Sequence, residues 1–199
     1  MAETTLEVVM RVRLFDYLLY RLVGMALVGL AVWCFWFELP RIEDANVRVR
    51  DALHGLVSAC EARNDPVANL EAALVHAGER MLGTEALAEL KAAREATRRV
   101  RLYPRIATAQ EVQDFWATQE AYRLTALGLV GRIHKANPEV QAQFVSVVEF
   151  SDAVTRAAQR YNFAAAEHNK TLHGRLASVT AYFAEYEDLP VLGVPPVQL

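Results

Sequence analysis

The sequence predicts an all-α protein in which an N-terminal transmembrane helix precedes an antiparallel helical bundle. Three observations predict it. A charge-free run of sixteen residues, 22–37, lies near the N-terminus. Beyond it, apolar residues recur in steps of three and four along most of the chain, the period of one helix face. No segment carries the period-two alternation of a half-buried strand. At 199 residues the chain accommodates one domain plus an appendage. The expected divisions are a flank at 1–16, an anchor at 17–37, a bundle at 42–187 and a proline-containing tail at 188–199.

The anchor is marginal in length but sufficient. Extended back to Tyr17, the run contains twenty-one residues with Arg21 as its one ionised group. Twenty-one helical residues reach about 32 Å against a hydrocarbon core of ~30 Å, so Arg21 must snorkel to a headgroup layer. Tyr17 and Tyr20 at one end, and Trp33, Phe35, Trp36 and Phe37 at the other, suit the two membrane–water interfaces. A signal peptide would require a small-residue cleavage site, whereas Trp-Cys-Phe-Trp-Phe-Glu follows the apolar run. A buried core helix and an interfacial helix also compete, the latter weakened because the run is apolar all round. Arg11, Arg13 and Arg21 before the span balance Arg41, Arg48 and Arg50 after it, so the positive-inside rule ties. An extracytoplasmic body is the working expectation.

After Pro40 a helical stripe runs through Val49, Leu53, Leu56, Cys60, Val67, Leu70, Leu74 and Met81. Asn64-Asp65-Pro66 interrupts it, and because proline lacks an amide donor, a kink or a restart capped by Asn64 or Asp65 is expected. Gly78 and Gly83 loosen its end. Thr84 is the expected cap of a second helix reaching about Arg101, closed by Pro104. Thr108 and Glu111 have capping-box spacing and open a third helix carrying Val112, Phe115, Gln119, Tyr122, Leu129 and Ile133 to about Lys135. Asn137-Pro138 reads as an N-cap followed by a first-turn proline. The longest seam begins there: Val140, Phe144, Val147, Ser151, Val154, Ala158, Tyr161, Ala165, His168 and Leu172 alternate steps of four and three, which favours left-handed packing on neighbouring helices. Gly174 breaks the series, and Leu176, Val179, Phe183 and Tyr186 continue it on a shifted phase.

Composition removes several functional classes. Net charge is −3 with both signs interspersed, against the basic footprint of a nucleic-acid binder. Cys34 and Cys60 make neither a disulfide scaffold nor a zinc site. His54, His76, His134, His168 and His173 form no metal-ligand array, and His168 and His173 are five residues apart, poorly placed to share a helix face. Serines 58, 146, 151 and 178 lack a nucleophile elbow, and no phosphate-binding glycine loop occurs. No catalytic, metal or cofactor residue is therefore assigned. Arg98, Arg99, Arg101 and Arg105 form the densest basic cluster, and with Arg21 they are candidates for lipid-headgroup contact.

Two segments carry a resemblance. Asn137 to Asn169 opens Asn-Pro-Glu-Val-Gln-Ala-Gln-Phe and contains Arg160-Tyr161-Asn162, with His168-Asn169 seven residues on. Residues 63–70 read Arg63-Asn64-Asp65-Pro66-Val67-Ala68-Asn69-Leu70. Together they resemble the LemA family, which typically places a proline and an acidic residue at this helix start, Arg-x-x-Tyr-Asn within it, and a second Tyr-Asn seven residues later. Here Arg160 directly precedes Tyr161, His168 replaces the second tyrosine, and Pro66 is displaced by two positions. The matching residues are Arg63, Asp65, Asn69, Leu70, Pro138, Arg160, Tyr161, Asn162 and Asn169. The resemblance implies a membrane-anchored bacterial bundle, in the cytoplasmic membrane, without catalytic residues or a cofactor and with a membrane-organising or interaction role. Tyr161 on the seam and Asn162 beside it favour packing roles, Asn162 through hydrogen bonds across helices. An accessory subunit of a larger membrane complex, and a small-ligand sensor or enzyme centred on His168 and Tyr161, are the alternatives.

Overall fold

A computed structural model describes residues 2–77, 82–104, 107–133, 137–174 and 177–193, with the side chains of 2–14, 77, 132 and 133 excepted. Gly78, Met81, Arg105, His134, Lys135, Leu176 and the tail beyond Gly193 lie outside the described residues, as do the side chains of Arg11, Arg13 and Ile133. Helix α1 is Ala2–Trp33, followed without a break by a π-helical turn, Cys34–Glu38, and by α2, Leu39–Ala77. Then come α3, Thr84–Arg99; α4, Ala109–Ile133; α5, Pro138–Leu172; and the short α6, Ala177–Phe183. Among the described residues there is no strand.

Pro40 lies within continuous helix: the backbone stays helical from Ala2 to Ala77, about 110 Å at 1.5 Å per residue, so anchor and bundle share one rod. A proline inside a helix clashes with the carbonyl four residues back. The π turn relieves that clash by widening the ladder just before Pro40: the Leu39 amide donates to the Cys34 carbonyl, five residues back. Pro66 likewise lies inside α2, so Asn64 and Asp65 cap nothing. Arg63, Val67 and Leu70 around it are fully buried. Burying Val67 and Leu70 is worth about 1.5–3 kcal/mol each, which together matches or exceeds the ~3 kcal/mol a helical proline costs.

Three apolar clusters fix the topology. At the foot, Ile42 of α2 meets Leu172 of α5 and Ala177 and Ala181 of α6. In the middle, Val49, Leu53, Leu56 and Cys60 of α2 pack on Val154, Ala158, Tyr161 and Ala165 of α5 and on Val112, Phe115 and Trp116 of α4. At the far end, Val67, Leu70 and Leu74 meet Val140 and Val147 of α5, Tyr122, Ala126 and Leu129 of α4, and Leu87 and Leu90 of α3. Thus α2 and α4 run away from the foot while α3 and α5 return to it, an up-down-up-down bundle.

The α5 seam falls where its period placed it, with Val140, Val147, Val154, Ala158, Tyr161, Ala165, His168 and Leu172 all buried. Asn137 caps α5, its Oδ1 accepting from the Glu139 and Val140 amides, with Pro138 in the first turn. Thr108 and Glu111 close their capping box: the Thr108 amide donates to Glu111 Oε2 at 2.8 Å and the Glu111 amide donates back to Thr108 Oγ1 at 3.3 Å. Thr84 is not a cap. Gly83, at φ +80°, occupies that position, and α3 ends at Arg99.

The expected phase of the last helix is overturned. Val179 and Phe183 face outward, while Ala177, Thr180 and Ala181 face the bundle. The small side chains of α6 pack against the large Ile42 and Leu172.

Candidate functional site

Beyond α6 the chain turns at Ala184 and at Glu185, whose φ is +56°, and climbs back along α5 as an extended strap, residues 187–193. Two asparagines of α5 hold it. Leu189 donates its amide to Asn169 Oδ1 at 2.9 Å and accepts from Asn169 Nδ2 at 2.8 Å. Leu192 donates to Asn162 Oδ1 at 2.8 Å and accepts from Asn162 Nδ2 at 2.9 Å. Each side-chain amide thus pairs with one backbone residue as a neighbouring strand would. The spacing explains itself: seven helical residues advance about 10.5 Å, and three residues of extended chain cover about 10 Å. Trp116 of α4 adds an indole bond to the Gly193 carbonyl at 3.0 Å, and Leu192 is buried in the middle cluster. Asn162 therefore bonds to the strap and not across helices.

Behind the strap lies a cavity of about 430 Å³ lined by Asn46, Arg50, Tyr161, His168, Glu187 and Leu189 among others. The Tyr161 hydroxyl and His168 Nδ1 are both buried with no hydrogen-bond partner. Burial pushes the Tyr161 phenol well above its ordinary value. Burial also holds the His168 imidazole below its usual value, against a backbone hydrogen bond at Glu187 and the charge of Asp188. The imidazole is then less readily protonated in the folded chain than in the unfolded one, whose pKa is about 6.5. Stability from this group is complete above about pH 6.5 and is lost as pH falls through the folded value. Acidification from pH 7 to 5 is expected to lower the denaturation midpoint of the chain, and His168→Gln is expected to flatten that dependence, measured by urea titration at successive pH values.

Farther up, Arg63 is 1% exposed. It donates from Nη1 to Glu120 Oε1 at 2.8 Å and from Nη2 to the Gln119 carbonyl at 3.1 Å. Arg123 holds the other Glu120 oxygen at 2.7 Å. Burial pushes the Glu120 carboxyl up, but the bonds from Arg123 and Arg63 prevail and hold it below its ordinary value. Tyr122 donates to Glu71 at 3.1 Å, and Arg94 pairs with the same carboxylate at 3.4 Å. Arg94, Gln119 and Tyr122 border a cavity of about 610 Å³, whose rim includes Asn64, Asp65, Arg98 and Arg101.

The remaining predicted residues are dispersed. Leu70 is core, while Asp65, Asn69, Pro138 and Arg160 are exposed. Arg99 pairs with Glu95 on its own helix at 3.4 Å. Arg21 lies over the Tyr17 ring, 5.0 Å from its centroid. Arg98 and Arg101 stand beside Asn64 and Asp65, about 40 Å along the helix from Phe37. A bilayer ending at Phe37 therefore meets Arg21 but not those arginines while α2 stands upright. Among the described residues no three His, Cys, Asp or Glu side chains converge as metal ligands. Burial pushes the Cys60 thiol up to about 11, against an ordinary value of 9.0, which leaves it a core side chain. Sequence reasoning missed Glu120, Gln119 and Trp116 as partners; their one signal was polar or indole groups on the inward face of α4.

Comparison with known proteins returns no match: no family profile, no curated protein and no solved structure matches the chain.

Proposed function

We propose that the chain is a single-pass, membrane-anchored, non-enzymatic interaction or scaffold protein that holds its helical bundle against a bacterial cytoplasmic membrane. One observation carries the reading. The 62-residue helical stretch Phe15–His76 contains an 18-residue window of mean hydropathy 2.0, none of it buried, and the same helix continues into the bundle's core. Apolar surface of that size with nothing packed on it calls for a lipid environment. A LemA-like kinship rests on the sequence resemblance alone, as does the bacterial setting. Protein partners, and membership of a larger membrane complex, rest on the anchored bundle lacking recognised catalytic motifs.

Membrane fractions washed at alkaline pH test the anchor, with intact-mass measurement of the retained chain. Retention at full length supports the span, and a chain shortened near residue 37 identifies a cleaved signal sequence and sinks it. Protease added to sealed vesicles reports which side carries the body, expected to be extracytoplasmic. Affinity purification from native membranes then tests for partners, and recovery of none above background counts against the scaffold.

A second reading, a small-ligand sensor, is favoured by the two unpartnered buried atoms at Tyr161 and His168 beside one cavity. A ligand screen by thermal shift with no response retires it.

A further inference from the structure

We propose that α6 is a second membrane-contacting element, seated in the interfacial layer of the bilayer beside the anchor with Val179, Tyr182 and Phe183 in lipid. The inference rests on the anchored reading above.

The helix has its polarity inverted for water. It buries the small Ala177, Thr180 and Ala181 and exposes Val179, Tyr182 and Phe183, the last two at 80% and 79%. A helix docked on a soluble body places its large apolar side chains inward. Exposed large apolar groups gathered on one short element mark contact with a non-aqueous partner.

Position identifies that partner as the bilayer. Val179 and Phe183 share the walls of an apolar cleft of about 370 Å³ with Leu30, Ala31, Cys34 and Phe35 of the anchor. Leu30 lies seven residues before Phe37, about 10 Å along the axis. A membrane that covers the apolar run to Phe37 must therefore also cover the side of α6 that faces it. At seven residues α6 spans about 10 Å, too short to cross the hydrocarbon and suited to lying at its edge. The edge-on Tyr182–Phe183 pair, centroids 5.6 Å apart, adds to the Trp33–Phe37 stack and the Phe35–Trp36 pair, forming a wider aromatic girdle than one helix provides. Just beyond it, exposed Arg41 and Lys170, paired with Glu38 and Glu167, border a polar cavity at the level expected of headgroups. The chain that follows α6 is fastened to α5 by Asn169 and Asn162, which ties the C-terminal end of α6 to the bundle.

The test uses the full chain with Cys34→Ala and Cys60→Ala, carrying one nitroxide-labelled cysteine at a time and reconstituted in phosphatidylcholine/phosphatidylglycerol nanodiscs. Labels are placed at Phe183, at Tyr182, at Val28 in the anchor, and at His54 on the exposed face of α2. Tyr182 and Phe183 pack against little, so their labels spare the core, and far-UV circular dichroism verifies each variant. Collision with oxygen, which concentrates in lipid, is compared with collision with a water-soluble nickel chelate. The oxygen-to-nickel ratio at Phe183 and Tyr182 is expected to approach that at Val28 and to exceed that at His54 several-fold. A lipid-like Val28 with water-like Phe183 and Tyr182 overturns this inference while leaving the anchor intact. A water-like Val28 overturns both. Spin–spin broadening at Phe183 that vanishes on dilution with unlabelled chain assigns the face to a second copy and also overturns it.

Discussion

Glu120→Met is expected to destabilise the bundle by about 3–5 kcal/mol, the usual cost of stripping a buried charge of its partner. Arg63 is fully buried, and its guanidinium has one carboxylate within reach, with its remaining interhelical bond going to a neutral carbonyl. Removing Glu120 leaves that cation where water cannot reach it. Arg63→Met should cost less, because Glu120 keeps Arg123 at 2.7 Å. The double variant Arg63→Met, Glu120→Met should recover much of the loss, since it removes both desolvation penalties and leaves apolar volume. Urea denaturation of all four chains in detergent, followed by far-UV circular dichroism, measures the cycle. Near-additive losses would refute the coupling. Against a typical total of 5–15 kcal/mol, the single substitution alone brings the fold close to its limit.

The double substitution Asn162→Leu, Asn169→Leu is expected to release residues 187–193 from the body. Four hydrogen bonds of 2.8–2.9 Å are lost, at about 1 kcal/mol each, and the backbone groups of Leu189 and Leu192 are left facing apolar side chains. About 4 kcal/mol exceeds what burial of Leu192 returns, roughly 1.5–3 kcal/mol. Rapid proteolysis between Leu189 and Gly193, with the remaining helices still protected, is the expected outcome, together with faster amide exchange at Leu189 and Leu192. Cleavage no faster than in the parent chain would show that Trp116 and the core hold the strap unaided. Single substitutions should give intermediate rates.

The two sites differ in how much of them the sequence discloses. The α5 seam could be read residue by residue because a helix buried on one side writes its period into the chain, and the caps at Asn137 and Thr108 could be read because they depend on neighbours within three residues. Arg63 was recognisable as distinctive, yet its partner Glu120 lies 57 residues away on another helix, and nothing local encodes such a pairing. The seven-residue spacing of Asn162 and Asn169 was visible, but its meaning depends on an extended segment that has no periodicity of its own. Of the two readings at Pro66, a bent helix or a restart, the continuous α2 excludes the restart, because local propensity favours a break but burial on both sides of Pro66 outweighs it. The outward phase of α6 was unreadable because pattern rules place large apolar side chains inward, whereas in α6 the small Ala177, Thr180 and Ala181 take those positions.

The unbroken helix also imposes a waiting time during synthesis. The inward face of α2, from Ile42 to Leu74, is complete once that helix has emerged, but its principal partner α5 ends at Leu172, roughly 100 residues later. At 5–20 residues per second the ribosome needs about 5–20 s to deliver that partner. Helix formation itself takes about a microsecond, so the stripe of α2 that α5 will cover stands bare for millions of times longer than the helix took to coil. Every newly made copy must pass through this interval, in which two nascent rods can pair with each other before either meets its own α5.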